Sequence, residues 1–411
     1  MSKKPYFWVI GGGLLQVPLI EEVRRLGFRV LVTDGSENCV CRPLADFFRL
    51  IDIFDVSAHR ELAKNLIKEG EEIAGVLAAG IDAPETMAAV ARDLGQPGVD
   101  PEIAHLVNNK DKFREALQKL GYPTPRFRVV DASNFHQLES LLSEVGFPLI
   151  VKNTNSSGSR GTRIFRTKDL GLIRQTLEEA MRVSRGGRAL IEEVWEGPEQ
   201  TVETIFDANG RFYPCFITDR IFDKSEGYAM EIGLRQPSDL PKNTQQEMFD
   251  LAERVARDLG IRIGAAKYDM ILTAQGPRII EMTVRLSGGF DCQYLVPAAT
   301  GKNVLKAAIL TALGKPFSED LLLDKKGRVG LSQSIWPKPG RIVAIKGIED
   351  AKRVPGFEHL FFRYSVGEVI APYVDCTKRV CFILATGANA AEASQNMDKI
   401  KSLIQIETEP V

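Results

Sequence analysis

The N-terminal segment constrains the fold of this chain more than any other feature. The stretch YFWVIGGGLLQVPLIEEVRRLGFRVLVTDG, residues 6–35, is typical of a short apolar strand, a glycine turn, an amphipathic helix and a second apolar strand. Two strands joined by a helix form a βαβ unit, which requires a parallel sheet with helices on its faces. Further strand and helix signals in IAGVLAAG and PETMAAVARDLG extend the pattern, so we predict a Rossmann-like domain over residues 1–105.

The glycine turn of this unit matches a dinucleotide-binding turn only in part. Gly11 and Gly13 fit the first two glycines of G-x-G-x-x-G, and Asp34 lies near the end of the second strand, where an acid contacts the ribose of NAD. Gln16 stands at the third glycine position. We therefore expect a turn that serves another ligand, and the alternative of an NAD-dependent oxidoreductase is disfavoured.

Length and composition exclude several classes of protein. At 411 residues the chain is too long for one hydrophobic core, and 53 basic against 54 acidic residues give no broad positive field for nucleic acid. No apolar stretch reaches the ~20 residues of a membrane helix, and the first apolar run is too short for a signal peptide. The six cysteines are scattered and lack metal-site spacing. We expect a cytoplasmic protein with reduced thiols and small-molecule partners, without a membrane or nucleic-acid partner.

A lysine followed by a loop of small residues indicates a phosphate site. In PLIVKNTNSSGSRGTRIF, Lys152 ends a strand, and Ser157, Gly158 and Gly161 lie in the loop before the next strand. Small side chains leave backbone N–H groups accessible to phosphate oxygens. The lysine precedes its glycines, so this is not a Walker A motif. Lys110, before the helix DKFREALQKLG, supplies a second phosphate cation; the alternatives are a hairpin without a ligand and a solvated lysine.

Three carboxylates flank a Gly-Pro turn in ALIEEVWEGPEQTVETI. Glu192 and Glu193 precede the turn, and Glu199 follows it. Carboxylates at such a hinge can accept hydrogen bonds from ribose hydroxyls, while the strand backbone offers an N–H and a C=O to adenine. A charged hairpin without a ligand is the alternative.

The strands AAKYDMIL and PRIIEMTV carry the residues of a metal and oxyanion site. Antiparallel pairing places Asp269 beside Glu281, and two carboxylates that share phosphate-bound cations are typical of magnesium sites. Arg285 follows closely and can clamp an acyl or phosphoryl oxygen with two N–H groups. Gly288 and Gly289 open the next helix and expose N–H groups to an anion. The alternative is a strand end, a surface ion pair and a turn.

Taken in order along the chain, these motifs resemble the ATP-grasp superfamily of carboxylate-amine ligases. The resemblance covers essentially the whole chain and implies an α/β and α+β multidomain protein. Its domains would be a Rossmann-like pre-ATP-grasp domain at 1–105, a small ATP-grasp subdomain at 106–190, a large ATP-grasp subdomain with the metal site at 191–315, and a small β-rich C-terminal domain of the biotin-carboxylase type at 316–411.

The resemblance also implies roles for single residues. It assigns ATP to a set of cofactor-binding residues: Lys110, Lys152, Ser157, Gly158, Gly161, Glu192, Glu193, Trp195, Glu199 and Lys224. Trp195 would act through its backbone. Asp269 and Glu281 would bind two Mg²⁺ ions, with Mn²⁺ as an alternative. Thr283 departs from the asparagine of the family pattern E-x-N-x-R, and the L-amino-acid ligase branch, which tolerates this change, is the branch that the chain resembles.

The implied reaction joins a carboxylate, an amino acid in this branch, to an amine. The γ-phosphoryl group of ATP would activate the carboxylate as an acyl phosphate, with Arg285 and the N–H groups near Gly288 stabilising the oxyanion. The alternatives are a purine-biosynthetic or carbamoyl-phosphate-type ligase and a nucleotide-binding protein without ligase chemistry. The oligomeric state is left open, with a homodimer as one alternative. The proton of the amine would go to a carboxylate or to a phosphate oxygen. The motifs do not identify which group this is.

Overall fold

The computed structural model describes residues 4–224 and 227–411. Four β-sheets with helices against them organise these residues. This architecture confirms the mixed α/β and α+β class expected from the sequence. Within the described ranges, no helix is both long and apolar enough to cross a membrane.

The N-terminal sheet is parallel, as the βαβ pattern predicts. Its region contains β1 (Tyr6–Ile10), α1 (Val17–Arg25), β2 (Arg29–Asp34), β3 (Phe47–Leu50), α2 (Val56–Lys68), β4 (Ile73–Leu77) and α3 (Pro84–Asp93). The strands lie in the order β3-β2-β1-β4, and each adjacent pair is parallel. All five residues of β1 are buried, so this strand forms the centre of the first core.

A second sheet of four antiparallel strands carries the predicted phosphate loop. Its region contains α4 (Pro101–Asn108), α5 (Lys110–Lys119), β5 (Phe127–Val130), α6 (Leu138–Val145), β6 (Leu149–Asn153), β7 (Arg163–Phe165), α7 (Leu170–Val183) and β8 (Ala189–Glu193). The strand order is β5-β8-β6-β7. Because β6 and β7 are antiparallel neighbours, the small-residue loop is the connection of a hairpin.

The third and largest sheet carries the predicted metal site. Its first part is built from β9 (Glu199–Phe206), β10 (Phe212–Asp223), β11 (Met230–Gln236), α8 (Lys242–Asp258), β12 (Gly264–Thr273) and β13 (Gly276–Thr283), followed by α9 (Val296–Thr300) and α10 (Val304–Ala312). Strands β12 and β13 pair antiparallel with Asp269 directly opposite Glu281. The two carboxylates are therefore neighbours, as the hairpin pattern predicts.

The third sheet continues into the C-terminal part of the chain. This part contains β14 (Val329–Gln333), β15 (Gly340–Lys346), α11 (Ile348–Ala351), β16 (Phe357–Phe362), β17 (Val369–Ile370), β18 (Cys381–Gly387), α12 (Ala390–Leu403) and β19 (Gln405–Glu409). The eight strands of the third sheet lie in the order β13-β12-β9-β10-β11-β14-β18-β16, and β17-β15-β19 form the fourth sheet. The third sheet thus contains strands from both sides of residue 316, where the sequence predicts a domain boundary. The boundaries of the four predicted domains stay predictions.

The edge of the N-terminal sheet reaches the loop that follows β13. Gln16 donates from Nε2 to the Ala79 carbonyl at 2.6 Å and accepts from the Ala79 N–H at 3.1 Å. Ala79 forms a parallel bridge with Leu286. A Cβ on Gly80 would lie 2.7 Å from the Cα of Gly288, so only glycine allows this approach. The residue that breaks the dinucleotide pattern therefore positions one wall of the site.

Protein atoms occupy the glycine turn after β1. The Asp34 carboxylate accepts a hydrogen bond from the Gly12 N–H at 2.7 Å, and a Cβ on Gly12 would lie 2.4 Å from the sulfur of Cys39. Asp34 is the residue that would accept hydrogen bonds from the ribose of NAD. Because Asp34 is already bonded to the glycine turn, this geometry does not favour the alternative of an NAD-dependent oxidoreductase.

Candidate active site

The predicted site residues converge on a cavity of about 350 Å³ between the second and third sheets. Its lining includes Lys110, Lys152, Ser157, Gly158, Glu192, Glu193, Trp195, Glu199, Lys224, Asp269, Glu281, Arg285 and Gly288. Gly161 instead packs against α7, where a Cβ would lie 2.9 Å from the Cα of Ala180. Residues separated by more than a hundred positions in the sequence thus share one cavity.

At one end of the cavity, a buried glutamate holds two cations. Glu192 Oε2 lies 2.8 Å from Lys152 Nζ, and its Oε1 lies 2.8 Å from Arg114 Nε. Glu192 and Arg114 are each 1% exposed. Burial alone would raise the pKa of Glu192, but Arg114 and Lys152 outweigh it and lower this pKa to about 2. We call these three residues and Lys110 the lysine end.

Lys110 connects the lysine end to the loop and to the third sheet. Its Nζ donates to the Ser156 carbonyl at 3.1 Å and lies 3.7 Å from Oε1 of Glu281. The Lys110 N–H donates to the Thr154 carbonyl at 2.8 Å, which fixes the start of α5 against β6. Lys110 therefore contacts the loop that Lys152 precedes in the sequence.

The opposed carboxylates of the third sheet differ in their surroundings. Asp269 Oδ1 lies 2.9 Å from Arg220 Nη1 and 2.5 Å from Lys267 Nζ. Burial opposes ionisation of Asp269, but these two cations lower its pKa to about 2. The Glu281 side chain is 35% exposed. Two carboxylates offer hard oxygen ligands on one wall of the cavity.

The neighbouring Thr283 contributes a further oxygen to this wall. Its Oγ1 is buried and has no hydrogen-bond partner among the described residues. Within that part of the chain, no group of three or more His, Cys, Asp and Glu side chains could hold a metal by itself. Such a donor set suits Mg²⁺, which keeps water and phosphate oxygens among its ligands.

At the other end, a network of charges is centred on Arg220. Its Nε lies 2.8 Å from Glu231 Oε2, and its Nη1 lies 3.9 Å from Glu199 Oε2. Lys224 Nζ lies 2.7 Å from Glu199, and Arg379 Nη2 lies 3.5 Å from Oε1 of Glu231. We call Arg220, Glu231, Arg285, Asp291 and Arg379 the arginine end.

Arg285 is oriented by the segment that follows β13 and by the N-terminal region. Its Nη1 donates to the Leu286 carbonyl at 2.9 Å, and its Nη2 lies 3.8 Å from Asp82 Oδ1. Asp82 Oδ2 accepts from the N–H and the hydroxyl of Ser157 at 3.1 and 2.8 Å. Burial would raise the pKa of Asp82, but Arg285 and Ser157 lower it overall. Asp82 therefore joins the loop to Arg285.

The C-terminal part of the chain closes the remaining side of the loop. The Cys376 N–H donates to the Gly158 carbonyl at 3.0 Å. A Cβ on Gly158 would lie 3.1 Å from Cγ2 of Thr377, so a larger residue would push the two segments apart. The loop is thus held between the N-terminal and C-terminal parts of the chain.

Two of the residues predicted to bind ATP, Glu193 and Trp195, lie at the end of β8 and just beyond it. Trp195 lines the cavity, and Glu193 forms an ion pair with Arg126 at 3.2 Å. The Glu193 N–H donates to the Arg126 carbonyl at 2.8 Å. Glu193 is therefore engaged with Arg126, just before β5, and its side chain is partly exposed.

Several site residues were missed by the sequence motifs. Arg114 had a usable signal, because it lies one helical turn after Lys110 and so on the same face of α5. Asp82 and Arg379 had none, since each is an ordinary charged residue in a segment remote from the motifs. Glu231 follows Lys224 closely, but a single acid does not reveal its partners. Their role appears only when separate segments meet.

Two family models match the chain. A family model described as "Carbamoyl-phosphate synthase L chain, ATP binding domain" matches residues 109–320, more than half of the chain. A second model, described as "L-amino acid ligase C-terminal domain 2", matches residues 334–409.

Individual proteins are similar to the chain at lower identity. The uncharacterized protein y4rH of Sinorhizobium fredii is 27% identical over 334 residues, which cover 78% of this chain and 66% of that protein. A formate-dependent phosphoribosylglycinamide formyltransferase of Prochlorococcus marinus is 25% identical over 410 residues, which cover 97% of this chain and 96% of that protein. The crystal structure of an L-amino acid ligase from Bacillus licheniformis superposes with a TM-score of 0.82 at 21% identity, covering 99% of this chain and 100% of that chain. At this identity, the superposition establishes the fold.

Proposed function

The chain belongs to the ATP-grasp superfamily, through the family of carbamoyl-phosphate synthase L chain ATP-binding domains, and we propose that it is an ATP-dependent ligase that joins a carboxylate to an amine. One observation carries the proposal. The opposed carboxylates Asp269 and Glu281 line the same cavity as Lys110, Lys152 and Arg285. Phosphoryl transfer to a carboxylate is mainly a matter of positioning and charge neutralisation, which this set provides.

In this proposal the lysine end binds the ATP phosphates. Lys110 contacts the loop 156–161 and Lys152 precedes it. The small side chains of the loop let phosphate oxygens approach its backbone beyond Ser157, whose own N–H is bonded to Asp82. Glu192 is buried and ionised, so its role is to hold Lys152 in place. Ribose contact then falls to Glu199, which lies on the cavity wall beside Lys224.

Mg²⁺ fits Asp269 and Glu281, and the proposal includes two ions with Mn²⁺ as an alternative. When bound there, Mg²⁺ would neutralise and orient the transferring phosphoryl group. Asp269 is ionised at neutral pH because Arg220 and Lys267 outweigh the effect of burial on its pKa. The hydroxyl of Thr283 supplies a neutral oxygen where the family pattern has an amide.

Arg285 and the N–H group of Gly288 are proposed to stabilise the acyl phosphate and the oxyanion formed from it. The Arg285 side chain is 11% exposed, so little water competes for its N–H groups. Leu286 and Asp82 hold the guanidinium from two directions. A pre-oriented donor of this kind lowers the barrier because it needs no rearrangement when charge develops.

The match of residues 334–409 favours an amino acid as the carboxylate substrate. The second candidate is a purine-type ligase that activates formate, which the full-length similarity to a formyltransferase supports. Both use small molecules. We also propose that the enzyme is located in the cytoplasm. A homodimer is one assembly that the proposal allows.

The test is release of phosphate from ATP in the presence of Mg²⁺ and defined substrate pools. The ligase proposal predicts release only when a carboxylate and an amine are both present, together with a coupled product found by mass spectrometry. An amino-acid pool and a pool of formate with phosphoribosylglycinamide separate the two candidates. Release that is independent of both pools would contradict the proposal, and nucleotide binding without any release would favour a protein that lacks ligase chemistry.

A further inference from the structure

A buried carboxylate on the loop after β13 has one oxygen left open. Asp291 is 1% exposed and lines the cavity together with Arg285. Its Oδ1 lies 3.0 Å from Thr218 Oγ1, whereas its Oδ2 has no hydrogen-bond partner in the part of the chain that the structure describes. Because buried carboxylate oxygens are normally hydrogen-bonded, Oδ2 is suited to a ligand that donates a hydrogen bond.

Two consecutive left-handed residues turn this carboxylate toward the cavity. Gly289 has φ of +67° and Phe290 has φ of +63°, and a π-helical turn begins at Asp291. Phe290 is held in this unfavourable conformation by stacking on Phe361, with ring centroids 4.2 Å apart. Strained residues and π-turns concentrate at functional sites, so the conformation supports a role beyond packing.

The neighbouring hydroxyl fits a carboxyl group that gains and loses a proton. Thr218 Oγ1 lies 3.0 Å from Asp291 Oδ1 and 3.0 Å from Oε1 of Gln236. The hydroxyl has one proton, so it donates to only one of these oxygens at a time. When Asp291 is ionised, the Thr218 hydroxyl donates to its Oδ1. When Asp291 carries a proton on Oδ2, Thr218 can rotate and donate to Gln236 instead.

The surroundings of Asp291 contain charges of both signs. The titratable groups that face it are Cys292 on its own turn, Glu203 on β9, Arg220 on β10, Glu231 on β11 and Lys267 on β12. Burial raises the pKa of Asp291 to about 7, the Thr218 hydroxyl opposes the rise, and Glu231 adds to it. A carboxyl group that titrates near neutrality is well matched to proton transfer at physiological pH.

We propose that Asp291 binds the incoming amine and acts as its general base. This inference rests on the proposed ligase function. The substrate arrives as an ammonium ion, which Oδ2 accepts as a hydrogen-bond donor. One proton moves from nitrogen to Oδ2, the nitrogen attacks the acyl carbon, and the bond between that carbon and the phosphate oxygen breaks. The departing phosphate carries away the second proton, and Asp291 returns its proton to solvent.

The test compares two nucleophiles in the Asp291→Asn variant. Hydroxylamine is largely unprotonated at neutral pH and needs no base, whereas an α-amino group must lose a proton. With ATP, Mg²⁺ and a mixture of the proteinogenic amino acids, we expect hydroxamate formation close to that of the unmodified protein. Amide formation should fall about 10²–10⁴-fold in kcat/KM for the amine. In the pH profile of that constant, the limb set by Asp291 should be replaced by a rise that follows the deprotonation of the amine in solution.

Asp207→Asn is the matched control, because Asp207 is a buried aspartate that caps a turn between β9 and β10 outside the cavity. Near-normal amide formation by Asp291→Asn would overturn the assignment. An equal loss of hydroxamate and amide formation would also overturn it, since that pattern indicates a structural role. If the unmodified protein forms no hydroxamate from the amino-acid mixture or from formate, the ligase proposal itself fails, and the assignment of Asp291 fails with it.

A second variant tests the same residue without removing it. Thr218→Val eliminates the hydroxyl that lowers the pKa of Asp291. We expect the acidic limb to move to higher pH while hydroxamate formation is retained. An unshifted limb would show that another group titrates, which contradicts the proposal.

Discussion

Glu192 and Asp291 are buried carboxylates of the same cavity, yet their protonation differs. At the lysine end, Glu192 lies between Arg114 and Lys152, and its pKa is about 2. At the arginine end, Asp291 has a hydroxyl on one oxygen, and its pKa is about 7. Burial raises the pKa of both groups, so the partners decide which way each shifts.

This difference teaches how one cavity can hold two kinds of chemistry. At the lysine end, the low pKa of Glu192 keeps its carboxylate ionised near neutral pH, where it holds Lys152 and Arg114 in the position that suits the binding of a polyanion. The arginine end contains a carboxyl group that exchanges a proton near neutrality. Variants at both ends test this division, beginning with Glu281, which lies opposite Asp269 and near Lys110.

The largest effect is expected for Glu281→Gln. Glu281 lies opposite Asp269 and 3.7 Å from Lys110, so it connects the proposed metal to the lysine end. Loss of a metal interaction worth several kcal/mol corresponds to a decrease in kcat of about 10³-fold or more. Steady-state phosphate release at saturating ATP and Mg²⁺ measures it. Glu253→Gln, at 36% side-chain exposure on α8, is the control; similar activity in both variants would contradict the metal assignment.

Glu192→Gln tests the fixed charge of the lysine end. The change leaves Arg114 and Lys152 without their shared carboxylate in a buried place. Removing one partner of a buried ion pair costs about 3–5 kcal/mol, so we expect a clear decrease in the free energy of unfolding. Urea denaturation measures it. The exposed pair of Glu144 and Arg128 provides the comparison, where Glu144→Gln should change stability by less than about 1 kcal/mol.

Arg285→Lys tests the geometry of the arginine end rather than its charge. Lysine keeps the positive charge but lacks the planar pair of donors. Loss of one oriented oxyanion donor lowers kcat by about 10²–10³-fold, and we expect that decrease with an unchanged melting temperature. Arg235→Lys, which affects a surface pair with Asp239, should leave kcat unchanged. A normal kcat with a lowered melting temperature for Arg285→Lys would indicate a purely structural arginine.

Per unit of pH, the smallest effect is the change of stability that Asp291 causes. Its pKa is raised from 3.8 to about 7 on folding, so between these values the folded state binds a proton that the unfolded state releases. Stability therefore falls as pH rises across this window, with a slope of up to about 1.4 kcal/mol per pH unit. Asp291→Asn should flatten the slope. Urea unfolding at several pH values across the window measures it, and parallel slopes for the two proteins would contradict the raised pKa.

Local pattern was sufficient for much of the site. The hairpin signal around AAKYDMIL and PRIIEMTV predicted that Asp269 and Glu281 are neighbours, because antiparallel register follows from two short strands and a turn. The same holds for Lys152 and its loop between β6 and β7. The assignments of ligands to these residues stay predictions.

Contacts between residues that are far apart in the sequence could not be predicted from local patterns. The third sheet passes from β11 to β14 although about ninety residues separate the two strands, and no motif signals that pairing. Asp82 contacts Ser157, and Cys376 contacts Gly158, across similar or greater separations. Single charged or polar residues carry too little information to reveal their partners.

The sequence by itself determined the parallel N-terminal sheet, the hairpins and the order of the charged motifs, because each depends on residue types within one short segment. Only the tertiary structure decided which charges are paired and which are free to exchange protons. Glu192 and Asp291 look alike as single acidic residues in the sequence. They differ because folding brings two cations to one and a hydroxyl to the other, and in a buried place those partners set the free energy of ionisation.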